Sequence, residues 1–394
     1  MKPITVLHVI DTLQTGGTES QLLRILPRLD PGGFRQVLCP LQMTGSPVGV
    51  AGDGVETHPL GLHKNDVLRG VAALRAIIAR VRPDLLHTHL FAATLMGRAA
   101  GRLSRLPVVT TLVNTPYAPQ WRIDDPALTR WKVEAVRAVD ALTASWTSWY
   151  VAISETVKRS AVRHLGIPAD RITVIPRGVA PEDLPALSPE EVRQVRQSLG
   201  WADVDPLILN VGRLVPQKGQ RHLIEAMGEV VQRLPRARLA IAGEGRLRGA
   251  LEAQIRALRL DGAVRLLGDR RDVPVLLAAA DLFVFPSLSE GFGVAFLEAM
   301  AAGRPCIASD LEVVREVAGS DAAVLVPPMS SGALADAIMT VSRDEETRRR
   351  LAEAARIRAR HFSLAEAARR LEEVYRRVAG RETAADVLVG AASR

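Results

Sequence analysis

Cysteine is scarce in this chain: only Cys39 and Cys306 occur among 394 residues, and each lies in an apolar run typical of a buried strand. Two cysteines cannot supply the framework of a disulfide-rich secreted domain or the four thiolates of a structural zinc site. We therefore expect two buried, reduced thiols.

Long apolar segments are also lacking. No uncharged apolar run approaches the roughly 20 residues that span a membrane, and the first residues resemble a strand rather than a signal peptide. We therefore expect a cytoplasmic protein. With 47% apolar residues and a mean hydropathy of +0.10, a chain of this length fills two hydrophobic cores rather than one.

Aromatic residues make up only 4% of the chain, and no long basic run accompanies the net charge of +8. Nucleic acid is therefore not an expected partner. The charge is uneven, since residues 1–185 hold 21 Lys and Arg against 15 Asp and Glu. A basic first half suits an anionic acceptor or a peripheral contact with the acidic inner face of a membrane, although solvated arginines explain most of the excess.

Four of the five tryptophans lie within about thirty residues, interleaved with basic side chains: Trp121, Trp131, Trp146 and Trp149. A basic, aromatic surface of this kind can bind a lipid-linked acceptor at a membrane. The same rings can instead pack under a loop as part of the core, and we favour this second interpretation slightly.

Short apolar runs alternate with helical patterns in both halves, which predicts parallel sheets covered by helices on both faces. The first half has predicted strands at 5–10, 35–40, 55–58, 84–88, 107–111, 149–154 and 172–175. Helices are predicted between them at 18–29, 67–80, 91–103, 126–142 and 155–164. After a proline-rich break, strands restart at 207–211, 238–242, 264–267, 282–285, 306–309 and 323–326.

This rhythm predicts an α/β protein with two doubly wound, Rossmann-like domains, residues 1–180 and 190–363, that face a central cleft. In such sheets, ligands bind beyond the carboxyl ends of the strands. The most informative segment follows a predicted strand at this edge and reads SLSEGFGVAFLEAMAAGRPCIASD from Ser287. Glu290 and Glu298 flank a glycine turn and the start of a helix, which is a favourable place to hold an anion.

Two other loops of the second half end strands in the same way. The segment GRLVPQKG places Arg213 and Lys218 five residues apart at the entrance to a helix, where both cations can meet a diphosphate. In GEGRLRGAL, Gly243 and Gly245 allow the backbone to approach a ligand closely. Taken separately, each feature is also typical of an ordinary surface loop.

Together, and in this order, the loops resemble the donor site of retaining glycosyltransferases of family 4, which have the GT-B fold and an E-x7-E motif. The resemblance implies that Arg213 and Lys218 neutralise the leaving nucleoside diphosphate, and that Glu290 contacts hydroxyls of the donor sugar. It implies that Glu298 binds the ribose. The co-substrate would be a UDP- or GDP-linked sugar, and no cofactor or metal-binding Asp-x-Asp motif belongs to this pattern.

The resemblance also extends to neighbouring positions. It assigns to donor binding the residues Gly16, Gly17, Gly243, Gly245, Arg270, Gly291, Phe292, Gly293 and Val294. Arg270 lies in a loop that passes close to the nucleotide base in the family, and the Gly291–Val294 turn offers backbone amides. The family further implies that a C-terminal helix at 364–380 packs back on the N-terminal domain.

His87 and His89 lie near the end of a predicted strand, on one face. Because no third ligand is apparent in the sequence, we expect no metal here. We expect His89 to line the acceptor side and His87 to be structural.

The sequence departs from the family pattern at two positions. Val113 stands where many members carry a histidine that approaches the reacting sugar, so we expect Asn114, Thr115, Tyr117 or His89 to serve the acceptor hydroxyl, unless transfer is impaired. Arg177 replaces a frequent asparagine, either to favour an anionic substrate or as a solvent-exposed residue.

The expected function is transfer of a sugar, with retention, from a nucleotide sugar to a hydroxyl of a saccharide or lipid-linked acceptor. Two alternatives stay open at this point. One is a sugar-nucleotide hydrolase or epimerase on the same fold, and the other is a non-catalytic protein that binds a donor or a partner.

Overall fold

A computed structural model describes residues 2–13, 16–42, 55–63, 65–115, 117, 129–201 and 203–381. The described chain divides into two compact units. Unit 1 comprises the described residues up to Gly178 and those from Leu364 onward, and unit 2 comprises Val179–Ser363. Within the described ranges, the chain passes into unit 2 after Gly178 and returns to unit 1 after Ser363.

Unit 1 contains a parallel sheet whose described strands lie in the order β3-β2-β1-β4-β5-β6-β7. The strands are β1 Ile4–Ile10, β2 Phe34–Pro40, β3 Glu56–Thr57, β4 Leu85–His89, β5 Val108–Leu112, β6 Trp149–Ala152 and β7 Ile172–Val174. The helices are α1 Gly17–Ile25, α2 Val67–Val81, α3 Phe91–Ser104, α4 Arg130–Ala144 and α5 Glu155–Leu165, with α14 Leu364–Val378 joining them from the end of the chain. Every residue of the central strands β1, β4 and β5 is buried, as expected for a sheet covered on both faces.

Unit 2 repeats this plan with a parallel sheet in the order β10-β9-β8-β11-β12-β13. Its strands are β8 Leu207–Val211, β9 Arg238–Ala242, β10 Val264–Gly268, β11 Leu282–Phe285, β12 Cys306–Ser309 and β13 Val324–Val326. Its helices are α6 Pro189–Ser198, α7 Gln220–Arg233, α8 Arg248–Ala257, α9 Val273–Ala279, α10 Val294–Ala301, α11 Glu312–Ala318, α12 Ser331–Arg343 and α13 Glu345–Ala359. In both sheets the strand order reverses beside the first strand, which creates the switch point where ligands of such folds bind.

Helix α14 is anchored to unit 1 by polar contacts as well as by its apolar face. The Tyr375 hydroxyl lies 2.6 Å from Nδ1 of His87 in β4, and a Glu372 carboxylate oxygen accepts a hydrogen bond from the Asp30 amide at 2.7 Å. The Arg377 guanidinium lies 5.0 Å from the ring centroid of Trp149. The C-terminal helix is therefore an integral part of this unit.

The predicted α/β class with two doubly wound, Rossmann-like units is confirmed, and five of the six strands predicted for unit 2 start at the predicted residue. The first helix ends earlier than predicted, at Ile25, because Pro27 cannot donate a helical hydrogen bond and a short 3-10 turn follows. The helix predicted at 126–142 begins at Arg130, and the start of that range lies outside the described residues.

Both cysteine thiols are free and buried. Burial raises the pKa of Cys39 to about 12 and also raises the pKa of Cys306, so both thiols stay protonated and unreactive.

Among the described residues, no helix has the length and apolar character needed to cross a membrane.

Candidate active site

Two loops of unit 2 meet where strands β8 and β11 end. The Leu288 amide donates to the Gln217 carbonyl at 2.7 Å, and the Gln217 side-chain amide donates to the Ser289 carbonyl at 2.6 Å. These bonds place Lys218 beside Glu290, with Nζ and Oε1 2.5 Å apart. Local sequence patterns do not reveal this pairing, because the two partners are 72 positions apart in the chain.

Gly219 makes this close meeting of the loops possible. It has φ of +65°, and a Cβ at this position would overlap with the Pro286 carbonyl oxygen. Both the backbone conformation and the lack of space therefore require glycine. The Lys218 ammonium also lies 5.9 Å from the ring centroid of Phe285, so the cation is held between a carboxylate and an aromatic face.

Arg213 and Lys218 both lie in the loop that leads from β8 into α7. The Arg213 side chain is exposed, and its carbonyl accepts a hydrogen bond from the Gln220 side-chain amide at 3.0 Å. The loop geometry is thus fixed through the backbone while the Arg213 guanidinium stays accessible to an anion.

The glycine turn after Glu290 leads directly into α10. Gly293 precedes the helix with φ of +90°, and Val294 is its first residue. Phe292 is buried and packs edge-on against Phe362 with ring centroids 5.7 Å apart, so its side chain anchors the turn. The predicted contribution of this turn to a ligand therefore rests on backbone amides at the helix N-terminus. Glu298 lies on α10 and is half-buried.

Gly243 and Gly245 do allow a close backbone approach, and the structure shows which backbone approaches. A Cβ at Gly243 would overlap with the Gly212 carbonyl oxygen, and one at Gly245 would overlap with the backbone of Leu214. The Leu214 amide donates to the Glu244 carbonyl at 2.9 Å. These glycines therefore allow the Arg213 loop to pack against the Gly243–Gly245 backbone. The sequence had suggested that the close approach is made by a ligand.

Arg270 forms a two-pronged ion pair with Asp272, with bonds of 2.7 and 2.5 Å. The hydrogen bonds from Arg270 lower the pKa of Asp272. A contact between Arg270 and a nucleotide base, as the sequence predicts, has to compete with this pair.

In unit 1, Gly16 caps the N-terminus of α1, and Gly17 is the first residue of that helix. A Cβ at Gly16 would overlap with the carboxylate of Glu19, which folds back over the start of the helix. The predicted loop-to-helix turn after β1 is thus present.

Three buried histidines meet at the end of β1 and β4: His8, His87 and His89. The sequence indicated only two of them, because His8 lies on another strand, 79 residues before His87. His8 Nδ1 lies 3.3 Å from His89 Nε2, and the His87 and His89 rings are 4.1 Å apart. Burial lowers the pKa of all three, that of His8 to about 4, so each is neutral at pH 7.

Neutral imidazoles are potential metal ligands, and the candidate ligand atoms of this cluster lie within 4.8 Å of one another. However, His87 uses both ring nitrogens in contacts with Tyr375 and Thr111, of 2.6 and 2.7 Å. His8 Nε2 lies 2.7 Å from the Gln36 side-chain oxygen. A metal ion would have to displace these hydrogen bonds beside the cationic Arg177, so the cluster is better suited to hydrogen bonding. The sequence argument that a third ligand is missing was wrong, because His8 is present.

The predicted acceptor-side residues after β5 do not share one environment. Asn114 is exposed and Thr115 is half-buried. The Tyr117 hydroxyl donates to Asp140 at 3.0 Å, and the other Asp140 oxygen pairs with the buried Arg98 at 2.6 Å. Burial and the Asp140 charge raise the pKa of Tyr117. This tyrosine hydroxyl is therefore already engaged in a buried network.

Comparisons with known proteins agree with this architecture. A family model described as "Glycosyl transferases group 1" matches residues 191–358, and "Glycosyltransferase Family 4" matches residues 15–183. The crystal structure of HepE from Anabaena in complex with UDP-glucose is similar over 94% of this chain and 99% of its own, with a TM-score of 0.82 and 23% identity. The fold is therefore that of the GT-B class, and both matching family models describe glycosyltransferases.

Two similar proteins of known name are also glycosyltransferases. The GDP-mannose-dependent alpha-(1-6)-phosphatidylinositol dimannoside mannosyltransferase of Mycobacterium tuberculosis is 31% identical over 71% of both chains. The UDP-Gal:alpha-D-GlcNAc-diphosphoundecaprenol alpha-1,3-galactosyltransferase of Escherichia coli is 29% identical, and the match spans only 62% of the length of each chain. The chain belongs to glycosyltransferase family 4.

Proposed function

We propose that this protein transfers a sugar from a UDP- or GDP-linked donor to a hydroxyl of a saccharide or lipid-linked acceptor, with retention at the anomeric carbon and without a metal ion. The observation that carries the proposal is the Lys218–Glu290 pair, held by two interlocked loops at the carboxyl edge of the unit 2 sheet. A cation can bind the phosphate of a nucleotide sugar, and an adjacent carboxylate can accept hydrogen bonds from the hydroxyls of the attached sugar.

The electrostatics of these loops supply the leaving-group chemistry. The exposed Arg213 and the Lys218 ammonium stabilise negative charge as it grows on the departing diphosphate, and the amides at the start of α10 add partial positive charge. Glu290 accepts hydrogen bonds from donor sugar hydroxyls. With two cations in place, a divalent metal is not required to neutralise the diphosphate.

Retention follows when the acceptor attacks the face that the diphosphate leaves. The bond from the anomeric carbon to the phosphate oxygen breaks, and the acceptor oxygen forms a new bond on the same side. The acceptor proton passes to the departing phosphate, so no carboxylate nucleophile is needed. Positioning and charge stabilisation then provide most of the rate enhancement.

The names of these two relatives support this choice of substrates. One name gives UDP-Gal with alpha-D-GlcNAc-diphosphoundecaprenol, and the other gives GDP-mannose with phosphatidylinositol dimannoside. A nucleoside diphosphate donor and a lipid-linked acceptor are therefore the first candidates to test.

The binding test is a thermal-shift panel of nucleoside diphosphates and nucleotide sugars with EDTA present. Selective stabilisation by one base that persists in EDTA supports the donor site and its independence from metal. Product analysis then separates the alternatives, since free sugar or an isomerised donor without acceptor indicates a hydrolase or an epimerase.

A membrane contact is supported by helix α4. One stripe of this helix is exposed although it is apolar: Trp131, Ala135, Ala138, Val139, Leu142 and, just beyond the helix, Trp146. Trp131 is 68% and Leu142 is 75% exposed. Because the exposed Arg130 and Lys132 flank the stripe, the helix suits the interface of an anionic membrane. For these two tryptophans the sequence preference for a buried role was wrong.

Vesicle sedimentation tests this contact. We expect the protein to sediment with anionic vesicles at low salt, and the double substitution Trp131→Ser, Leu142→Ser to reduce the bound fraction severalfold because the apolar stripe is lost. The matched control is Leu68→Ser, which removes another exposed leucine of unit 1. Equal binding by the double variant and the control would exclude α4 as the docking helix.

A further inference from the structure

A small cavity opens at the carboxyl edge of the unit 1 sheet. Its volume is about 30 Å³, room for about two water-sized groups. The lining comes from α1, β4, β5, the β6 segment, α14 and the segment after β7, and its polar side chains are Gln21, His87, His89, Thr111 and Arg177. All of these residues belong to unit 1.

Three of these side chains carry a buried nitrogen with no hydrogen-bond partner among the described residues: Gln21 Nε2, His89 Nδ1 and Arg177 Nη2. Gln21 and His89 are only 1% and 3% exposed. Buried polar atoms are almost always paired, so three unpaired ones around one cavity indicate a missing partner. Gln21 cannot turn its amide over without loss, because its oxygen already accepts from the Gly178 amide at 3.3 Å.

The character of the missing partner follows from Arg177. Burial is the larger influence on this guanidinium and lowers its pKa to about 10, although the charge of Glu19 opposes the shift. The group is therefore a cation at pH 7. Around it, the three histidines of the cluster are neutral, so the positive charge is the dominant feature of the cavity.

His89 can adapt to an anion through its contact with His8. A chain of hydrogen bonds runs from His89 Nε2 to His8 and on to Gln36, over 3.3 and 2.7 Å. It has two directions, and one of them places a proton on His89 Nδ1. In this arrangement the Gln36 amide is turned so that its nitrogen donates to His8, and His8 donates to His89 Nε2. An anion in the cavity favours this arrangement, because the His89 Nδ1 proton is then a further hydrogen-bond donor to the anion.

We infer that Arg177, Gln21 and His89 form an anion-binding site that receives a carboxylate or phosphate group of the acceptor substrate. The cavity admits about two oxygen atoms, which matches both oxygens of a carboxylate or two of the oxygens of a phosphate group. The cations assigned to the donor diphosphate, Arg213 and Lys218, belong to unit 2, which leaves this site to the other substrate. The assignment to the acceptor rests on the proposed function, whereas anion binding itself does not.

The test measures binding of inorganic phosphate and of acetate to the full chain by thermal shift at constant ionic strength. The key variant is Arg177→Gln, and its matched control is Arg171→Gln, which removes the same charge from an exposed position six residues away. Gln21→Met, which removes a donor but no charge, is a second variant. Lys218→Ala removes a cation of the donor site in unit 2.

We expect saturable binding of at least one anion, weakened about tenfold or more by Arg177→Gln and less by Gln21→Met, because charge-assisted hydrogen bonds are the stronger ones. Arg171→Gln and Lys218→Ala should retain this binding. Absence of binding, or equal loss with Arg171→Gln, would show that ordered waters or general surface charge suffice, and would overturn the proposal.

Nucleoside diphosphate binding identifies the substrate that carries the anion. Arg177→Gln should leave this affinity unchanged while Lys218→Ala lowers it. Equal losses in both variants would assign the anion to the donor and overturn the acceptor assignment. If the wild type binds phosphate at Arg177 but binds no nucleoside diphosphate, the proposed function fails while the anion site stands.

Discussion

At the residue scale, the types of side chain at the site were readable from the sequence, but their partners were not. The sequence singled out Lys218 and Glu290 separately, whereas their 2.5 Å ion pair depends on two loops that are distant in the chain. His8 was missed for the same reason. Its strand is adjacent to β4 in the sheet, and strand order is a tertiary property that no local pattern encodes.

The buried histidines make a prediction about pH. Their pKa values in the folded protein lie below the ordinary histidine value of about 6.5, that of His8 at about 4, because burial disfavours the charged form. As the pH falls below about 6.5, the unfolded chain binds protons that the folded protein does not. The free energy of unfolding should therefore fall, by about 1.4 kcal/mol per pH unit for each such histidine, and for His8 down to about pH 4.

Denaturant unfolding between pH 7 and pH 5 measures this dependence. The variant His8→Gln should show a shallower decrease than the wild type, by about one proton taken up on unfolding. Leu68→Ser, which changes an exposed side chain and removes no titratable group, should show the wild-type decrease. An unchanged decrease in His8→Gln would mean that His8 titrates alike in both states.

At the scale of the element, strands and helices were predicted closely because apolar runs and turn residues are local signals. The meaning of the loop glycines was less accessible. Gly243 and Gly245 indicate close approach in the sequence, but only the structure shows that the approaching group is the Gly212–Leu214 backbone. For α4 the sequence left an exposed and a buried role of the aromatic rings open, since the buried side of that helix also carries apolar residues, Val133 and Ala144.

Gly219 allows a direct test of the loop junction. Gly219→Ala would place a methyl group against the Pro286 carbonyl in a strained backbone conformation, so the loops must separate. We expect a loss of stability of about 1–3 kcal/mol and a large loss of donor binding, because Lys218 and Glu290 move apart.

The control is Gly228→Ala, within α7, where a Cβ would meet no atom within 4 Å. This substitution should stabilise the protein by about 0.5–1 kcal/mol and leave binding intact. Chemical denaturation gives both values. If Gly219→Ala still binds the donor with wild-type affinity, donor binding does not depend on the contact between the two loops.

At the scale of the whole molecule, the two doubly wound units and the family were both evident from the order of the motifs. The sequence could not assign the cationic cavity of unit 1, because its lining combines six segments from across that unit. Nor does the fold by itself determine donor and acceptor, since side chains in the loops decide these.

The central claim is that unit 2 binds a nucleotide sugar through the Lys218–Glu290 junction. The most direct measurement is thermal stabilisation by nucleoside diphosphates and their sugars in EDTA, compared for the wild type, Lys218→Ala and Glu290→Gln. We predict stabilisation by one base in the wild type and its loss in Lys218→Ala. Glu290→Gln should keep the response to the nucleoside diphosphate and lose the added response to the sugar. Stabilisation that is absent from the wild type, or unaffected by both substitutions, would contradict the claim.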